Sequence, residues 1–193
     1  MFNIFSKYLT DKIALSEPEL ERISSVSLIK KLRRKQYLLQ KGDVCRYYAF
    51  VCKGLLRIYR LDEKGNEHIL KFCIENWWAG DRESLLTGKP ARSFIDALEE
   101  TTVILITREN FDSLCKEIPA FNNLVNGLLD RTYIASLDRV HANITYTSEE
   151  KYLDFIKKYA DIANRVPLHM IASFLGISPE TLSRIRAQHA NKG

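Results

Sequence analysis

The chain has 193 residues and a net charge of +5, with 46% hydrophobic and 27% charged positions, the make-up of an ordinary soluble globular protein of one larger and one smaller domain. The mild basic excess permits a polyanionic partner without demanding one, and no run approaches the ~18 apolar residues that span a bilayer, so no membrane partner is expected. Cys45, Cys52, Cys73 and Cys115 and the scattered histidines form no CxxC, HExxH or Cys–His set, and no Gly-rich phosphate loop or GxSxG elbow occurs; the chain does not read as an enzyme and no metal site is expected.

The opening residues mix charges into apolar positions and lack a signal-peptide core, which argues for a cytoplasmic protein. "SEPELERI" starts a helix at Ser16, with Pro18 in the first turn where its missing N–H costs nothing. From about Ser27 to Thr107 the period changes to short runs rich in β-branched and aromatic residues, broken by Gly and Asp. Three of the cysteines fall in such runs and read as small reduced core residues. The basic run Lys30 to Lys35 reads as a solvated face. "DEKGNE" is a hairpin turn, because Gly65 and Asn66 accept positive φ cheaply. Strands this close together, with no helices between them, predict a small antiparallel barrel or sandwich.

At about Arg108 the helical period returns. "RENFDSLCKEIP" is a short helix ended by Pro119, followed by about 25 residues free of proline. Leu129, Tyr133, Leu137 and Val140 make an apolar stripe along that second stretch, which is expected to be a dimer-forming helix. A further helix, "EEKYLDFIKKYADIA", is predicted to open with Ser148 as its cap, and a domain boundary is placed between Asn143 and Ser148.

The strongest motif is "LHMIASFLGISPETLSRIRA", Leu168 to Ala187. Two crossing helices need a small residue where they touch, supplied by Ala172, and a turn residue at ease with positive φ, supplied by Gly176. Ser178 and Pro179 then cap and stiffen the second helix, while Ile171, Leu175, Ile177, Leu182 and Ile185 face the shared core. That is the pattern of a helix-turn-helix. Its second helix would expose Glu180, Thr181, Ser183, Arg184 and Gln188 to double-stranded DNA, with Ser178 and Thr181 near the helix start suited to phosphates. From Arg165 onward, Arg165, Arg184, Arg186 and Lys192 outweigh Glu180, an excess that a dimer doubles.

With a β-rich N-terminal half, "LLQKGD", "AFVCKGLLRIY" and the C-terminal "GISPETLSR", nearly the whole chain resembles the Crp–Fnr family of bacterial transcription regulators. The resemblance implies an α+β architecture: an antiparallel, cyclic-nucleotide-binding-like β-roll sensor with its N-terminal helix over 1–118, a dimerisation helix over 119–144 and a helix-turn-helix DNA-binding domain over 145–193. It implies a base-reading set of Glu180, Ser183 and Arg184, closer to the Fnr branch, and a half-site resembling TTGAT. Pro179 departs from the side chain that many members use there for a contact. The wing that follows the recognition helix is expected to be missing, and the cysteines do not match the branch that ligates an iron–sulfur cluster.

The family's phosphate-binding cassette, GD-x-x-GEL followed by an arginine and a serine, corresponds to "NWWAGDRESLLTGKPARSFIDALEE". Gly80 and Asp81 match its opening, Glu83 its ribose-binding glutamate, and Arg92 with Ser93 its basic end, with one residue missing and Arg82 in place of a glycine; counted back from Ala97, Ala91 takes the arginine's place and Arg92 is one position out of register. A side chain there should block the close backbone approach to phosphate, so cAMP is not the expected ligand, although Arg82 and Arg92 remain open to another small anionic effector. The function implied is a homodimeric, sequence-specific DNA-binding regulator with no expected cofactor. The rivals are a constitutive DNA-binding dimer that uses the roll as scaffold and docking surface for RNA polymerase, and a nucleotide-binding interaction module that no longer reads DNA.

Overall fold

The computed structural model describes residues 2–190; Lys192, counted above in the C-terminal charge, lies outside them. Helices α1 (Phe2–Thr10) and α2 (Glu17–Ser25) come first. At the start of α2 the Ser16 N–H donates to Glu19 Oε2 at 2.7 Å, and Pro18 occupies the first turn.

The β-rich half consists of β1 (Leu28–Leu32), β2 (Tyr37–Leu39), β3 (Tyr47–Lys53), β4 (Leu56–Leu61), β5 (Glu67–Cys73) and β6 (Trp78–Ala79), then the short helix α3 (Arg82–Thr87), then β7 (Phe94–Ala97) and β8 (Thr101–Thr107). The strands pair antiparallel into two four-stranded sheets, ordered β1-β8-β3-β6 and β2-β7-β4-β5. Strand β8 is apolar along its length for a physical reason. Val103 and Leu105 face the roll interior, while Ile104 and Ile106 pack on the outer helices, so both faces are buried. Gly54, at the corner between β3 and β4, has φ +100°, and a Cβ there would lie 2.5 Å from Thr101 Oγ1 and 2.7 Å from Glu100 O. Only glycine fits that corner. Cys45 precedes β3 in a loop, so only Cys52 and Cys73 lie in strands, and Cys115 is helical.

Helix α4 (Arg108–Glu117) is capped by Thr107 Oγ1, which accepts from Asn110 N at 3.2 Å, and α5 (Pro119–Thr145) follows as one uninterrupted helix. Beyond it come α6 (Ser148–Lys158), α7 (Ala160–Ala163), α8 (Leu168–Leu175) and α9 (Pro179–Ala190). Two expectations change here. The cap of α6 is Thr147, not Ser148: Thr147 Oγ1 accepts from Glu150 N, and the Glu150 carboxylate accepts from Thr147 N at 2.8 Å. This is a capping box one residue earlier than predicted, because the glutamate that closes it must stand three positions on. The helix also ends at Lys158, since Tyr159 leaves helical geometry (φ −132°, ψ 38°) and packs its ring among Trp77, Phe155 and Phe174.

Three apolar clusters form. One fills the roll interior. A second lies between the β3–β8 face and α1, α2, α4 and the start of α5, with Phe5, Phe50 and Phe121 fully buried. The third crosses the expected domain boundary: Leu55, Tyr59, Ile69 and Phe72 of the roll pack with Phe155, Ile162, Ile171 and Leu182 of the C-terminal helices. Polar contacts close the same seam. Ser173 Oγ accepts from Ile69 N at 3.0 Å and donates to Glu67 O at 2.9 Å, and Arg165 pairs with Glu75 at 2.9 Å and Glu99 at 2.6 Å.

Candidate nucleic-acid interface and effector cassette

The C-terminal motif has the geometry its residues require. Gly176 sits at the end of α8 in the left-handed region (φ +67°), and Ile177 N reaches back to Ala172 O at 3.1 Å. Ala172 is fully buried, and Leu182 and Ile185 turn the inner face of α9 toward α8 and α6. Ser178 caps α9, its Oγ accepting from Thr181 N at 3.2 Å. Thr181 is half-buried and also holds the Ser178 hydroxyl at 3.1 Å. Glu180, Ser183, Arg184 and Gln188 are exposed along the outer face. The Glu180 carboxyl is held below its usual range by its own backbone N–H and by Ser178, so it is an ionised acceptor. His189 Nε2 meets Glu149 Oε1 at 2.8 Å and ties the end of α9 to α6.

Along α5, Tyr133, Leu137 and Val140 are exposed and Leu129 is half-buried; Ile144, 78% exposed, continues the stripe. Such a length of apolar side chain on a free helix face is what a second helix covers.

The cassette residues do not converge. Arg82 is exposed at the start of α3, and Glu83 pairs with Arg92 at 2.7 Å on the outer surface, where the arginine side chain is 65% exposed. Ser93 is buried and accepts from Arg60 Nε at 3.3 Å. None of the four lines the cavity of about 350 Å³ beside the cassette, whose wall includes Cys45, Gly80 and Ile95 together with Asp43 and Arg46. Backbone geometry also gives an ungapped register. With Asn76 (φ +66°) set in the place of the first cassette glycine, β6 supplies the two residues between and Gly80–Asp81 falls on the Gly-Glu pair. Asp81, buried, caps α3 by accepting from Ser84 N at 3.1 Å. In the same register Ala91, 3% exposed, takes the arginine's inward place. In this register the residues present do not fit a cyclic nucleotide: alanine stands where the phosphate's cation would be, and the ribose acceptor is spent on a helix cap.

Sequence reasoning missed the buried network around Arg57. Its guanidinium binds Asp96 at 2.7 and 3.0 Å, pairs with Glu67, and stacks over Tyr59 at 4.2 Å. Burial opposes that charge, but the two carboxylates outweigh burial and raise the pKa further. Alternation in β4 marks Arg57 as a strand residue without saying that acids on β5 and β7 meet it. Among the described residues no three His, Cys, Asp or Glu side chains gather as a metal site.

The chain thus joins a β-roll through one long helix to a helix-turn-helix. The cyclic nucleotide-binding domain model matches residues 29–118. Regulatory protein HlyX of Actinobacillus pleuropneumoniae is 25% identical over 191 residues, 93% of this chain and 79% of that protein. The fumarate and nitrate reduction regulatory protein of Vibrio cholerae is 25% identical over 185 residues, covering 89% and 72%. The structure of FixK2 from Bradyrhizobium japonicum shares the fold, with a TM-score of 0.77 at 19% identity over 87% of this chain and 86% of that one. Over most of its length the chain is thus similar to bacterial regulatory proteins, and its residues 29–118 match the cyclic nucleotide-binding domain.

Proposed function

We propose that the protein is a cytoplasmic, homodimeric regulator that reads double-stranded DNA with α9. The observation that carries this reading is the division of α9 into a buried face, Leu182 and Ile185, and an exposed face bearing Glu180, Ser183, Arg184 and Gln188. An ionised glutamate accepts from cytosine N4, an arginine bridges guanine O6 and N7, and Ser178 and Thr181 at the helix start suit phosphate. Pairing through Leu129, Tyr133, Leu137 and Val140 presents two such helices to two half-sites and doubles the released counterions.

The cassette geometry supports a second reading of regulation, in which the dimer binds DNA with no cyclic nucleotide and the roll serves as scaffold and as a surface for RNA polymerase. Selection of random duplex DNA on the purified protein, with no ligand at moderate salt, tests both. A two-fold symmetric motif with half-sites about one helical turn apart is expected from a dimeric reader, and its recovery without ligand supports constitutive competence. A pool without any motif from wild type, indistinguishable from that of Arg184→Ala, would defeat the assignment of α9.

A further inference from the structure

A second cavity, about 970 Å³, opens where the roll, the inner face of α5 and the C-terminal helices meet. It stands at the upper end of the range that holds small molecules, roughly 300–1,000 Å³. Phe72 and Trp77 form one wall, Phe155, Tyr159 and Phe174 another, and Ala135 lies on the α5 side. Five cations line it: Lys7 and Lys12 on α1 and its following turn, the latter over the Tyr8 ring at 5.2 Å, and Lys71, Arg131 and Arg139 deeper between β5 and α5. Elsewhere the internal guanidiniums of Arg57 and Arg165 are each held by two carboxylates. Here, among the described residues, Lys71, Arg131 and Arg139 meet only neutral groups. Lys71 Nζ donates to Trp78 O at 3.1 Å, and Arg131 Nε to Gly127 O at 3.1 Å. Arg139 donates to the Leu70 carbonyl and lies over the Phe174 ring at 4.4 Å. Desolvation draws the Arg139 pKa down, as it does for a cation lacking a counter-charge. Asp11, an acid on the rim, is taken by Lys7 at 3.1 Å.

We propose that this cleft binds an organic acid, one anionic headgroup on a flat apolar body, with Arg131, Arg139 and Lys71 taking the headgroup and the aromatic walls taking the body. None of Arg82, Glu83, Arg92 or Ser93 lines it, so the site is separate from the cassette. Its α5 face, Thr132, Ala135, Ser136 and Arg139, lies roughly a third of a turn from the stripe of Tyr133, Leu137 and Val140, so pairing through the stripe leaves the cleft in place. Because Phe155, Tyr159 and Phe174 belong to the reader helices and Phe72 to the roll, an occupant touches both halves of the molecule.

The test compares two fluorescent probes on the full chain: anilinonaphthalenesulfonate and its neutral counterpart phenylnaphthylamine, which share the same rings. The anionic probe is expected to bind at least about tenfold more tightly, and Arg131→Gln or Arg139→Gln to weaken it about tenfold while moving the neutral probe less than about twofold. Ala135→Trp should exclude both. Arg131 bonds only within its own helix, so its variant remains informative if Arg139→Gln disturbs folding. Equal affinity for the two probes overturns the proposal. So does anionic binding that survives Arg131→Gln and Ala135→Trp, or that is lost in Leu137→Ala instead, which would assign the probe to the exposed stripe. The readout involves no DNA, so its failure leaves operator recognition untouched.

Discussion

Arg184 and Arg57 show how differently two arginines of one chain act. Arg184 is exposed, so Arg184→Ala should leave the fold intact while costing about 1–3 kcal/mol of discrimination at one base pair per half-site, read by competition between duplexes differing at single positions. Arg57 is 7% exposed, and Arg57→Met strands Asp96 as a buried charge. Denaturant unfolding should register a loss of about 3–5 kcal/mol. Glu83→Gln removes only the surface pair with Arg92 and should change stability by less than about 1 kcal/mol in the same assay. The exposed face of α9 was legible in the sequence because helical spacing separates Leu182 and Ile185 from Glu180, Ser183 and Arg184. The basic end of the cassette was legible by counting back from Ala97, but the positive φ of Asn76 at its opening was not, because no residue pattern displays it.

Among the elements, the seam between β5 and α8 and the tie through Arg165 decide how the reader helices sit on the roll. Partial burial pushes the Glu75 carboxyl up, but Arg165 and the Gly54 N–H outweigh it and hold the pKa below the usual value. A carboxylate that ionises more readily when folded stabilises the fold above its unfolded pKa and stops doing so as pH falls through its folded pKa. The melting-temperature gap between wild type and Glu75→Gln should therefore be open at neutral pH and close below about pH 4. A gap that stayed constant across that range would deny Glu75 its role in the tie. Helix beginnings were readable to within a residue, since a capping box is local. The end of α6 was not, because Tyr159 leaves the helix to meet the rings of Trp77 and Phe174 from two distant segments.

For the molecule as a whole, the shared cluster means that the C-terminal helices and the roll stabilise one another. Phe155→Ala, at a 2% exposed position, should cost about 3–5 kcal/mol and lower one common transition in calorimetry, with no separately melting reader domain. Leu137→Glu places a charge in the exposed stripe of α5 and should shift sedimentation from dimer to monomer, weakening operator binding and its salt dependence together. The order of helices and strands, the glycine turn and the exposed face of α9 were determined by the sequence itself, because each depends on side chains within a few positions of one another. The docking of the reader on the roll, the outward turn of Arg92 and the gathering of Lys71, Arg131 and Arg139 around one cleft were decided only by tertiary structure. Those contacts join residues tens of positions apart, and burial and unpaired charge come into being only when the segments meet.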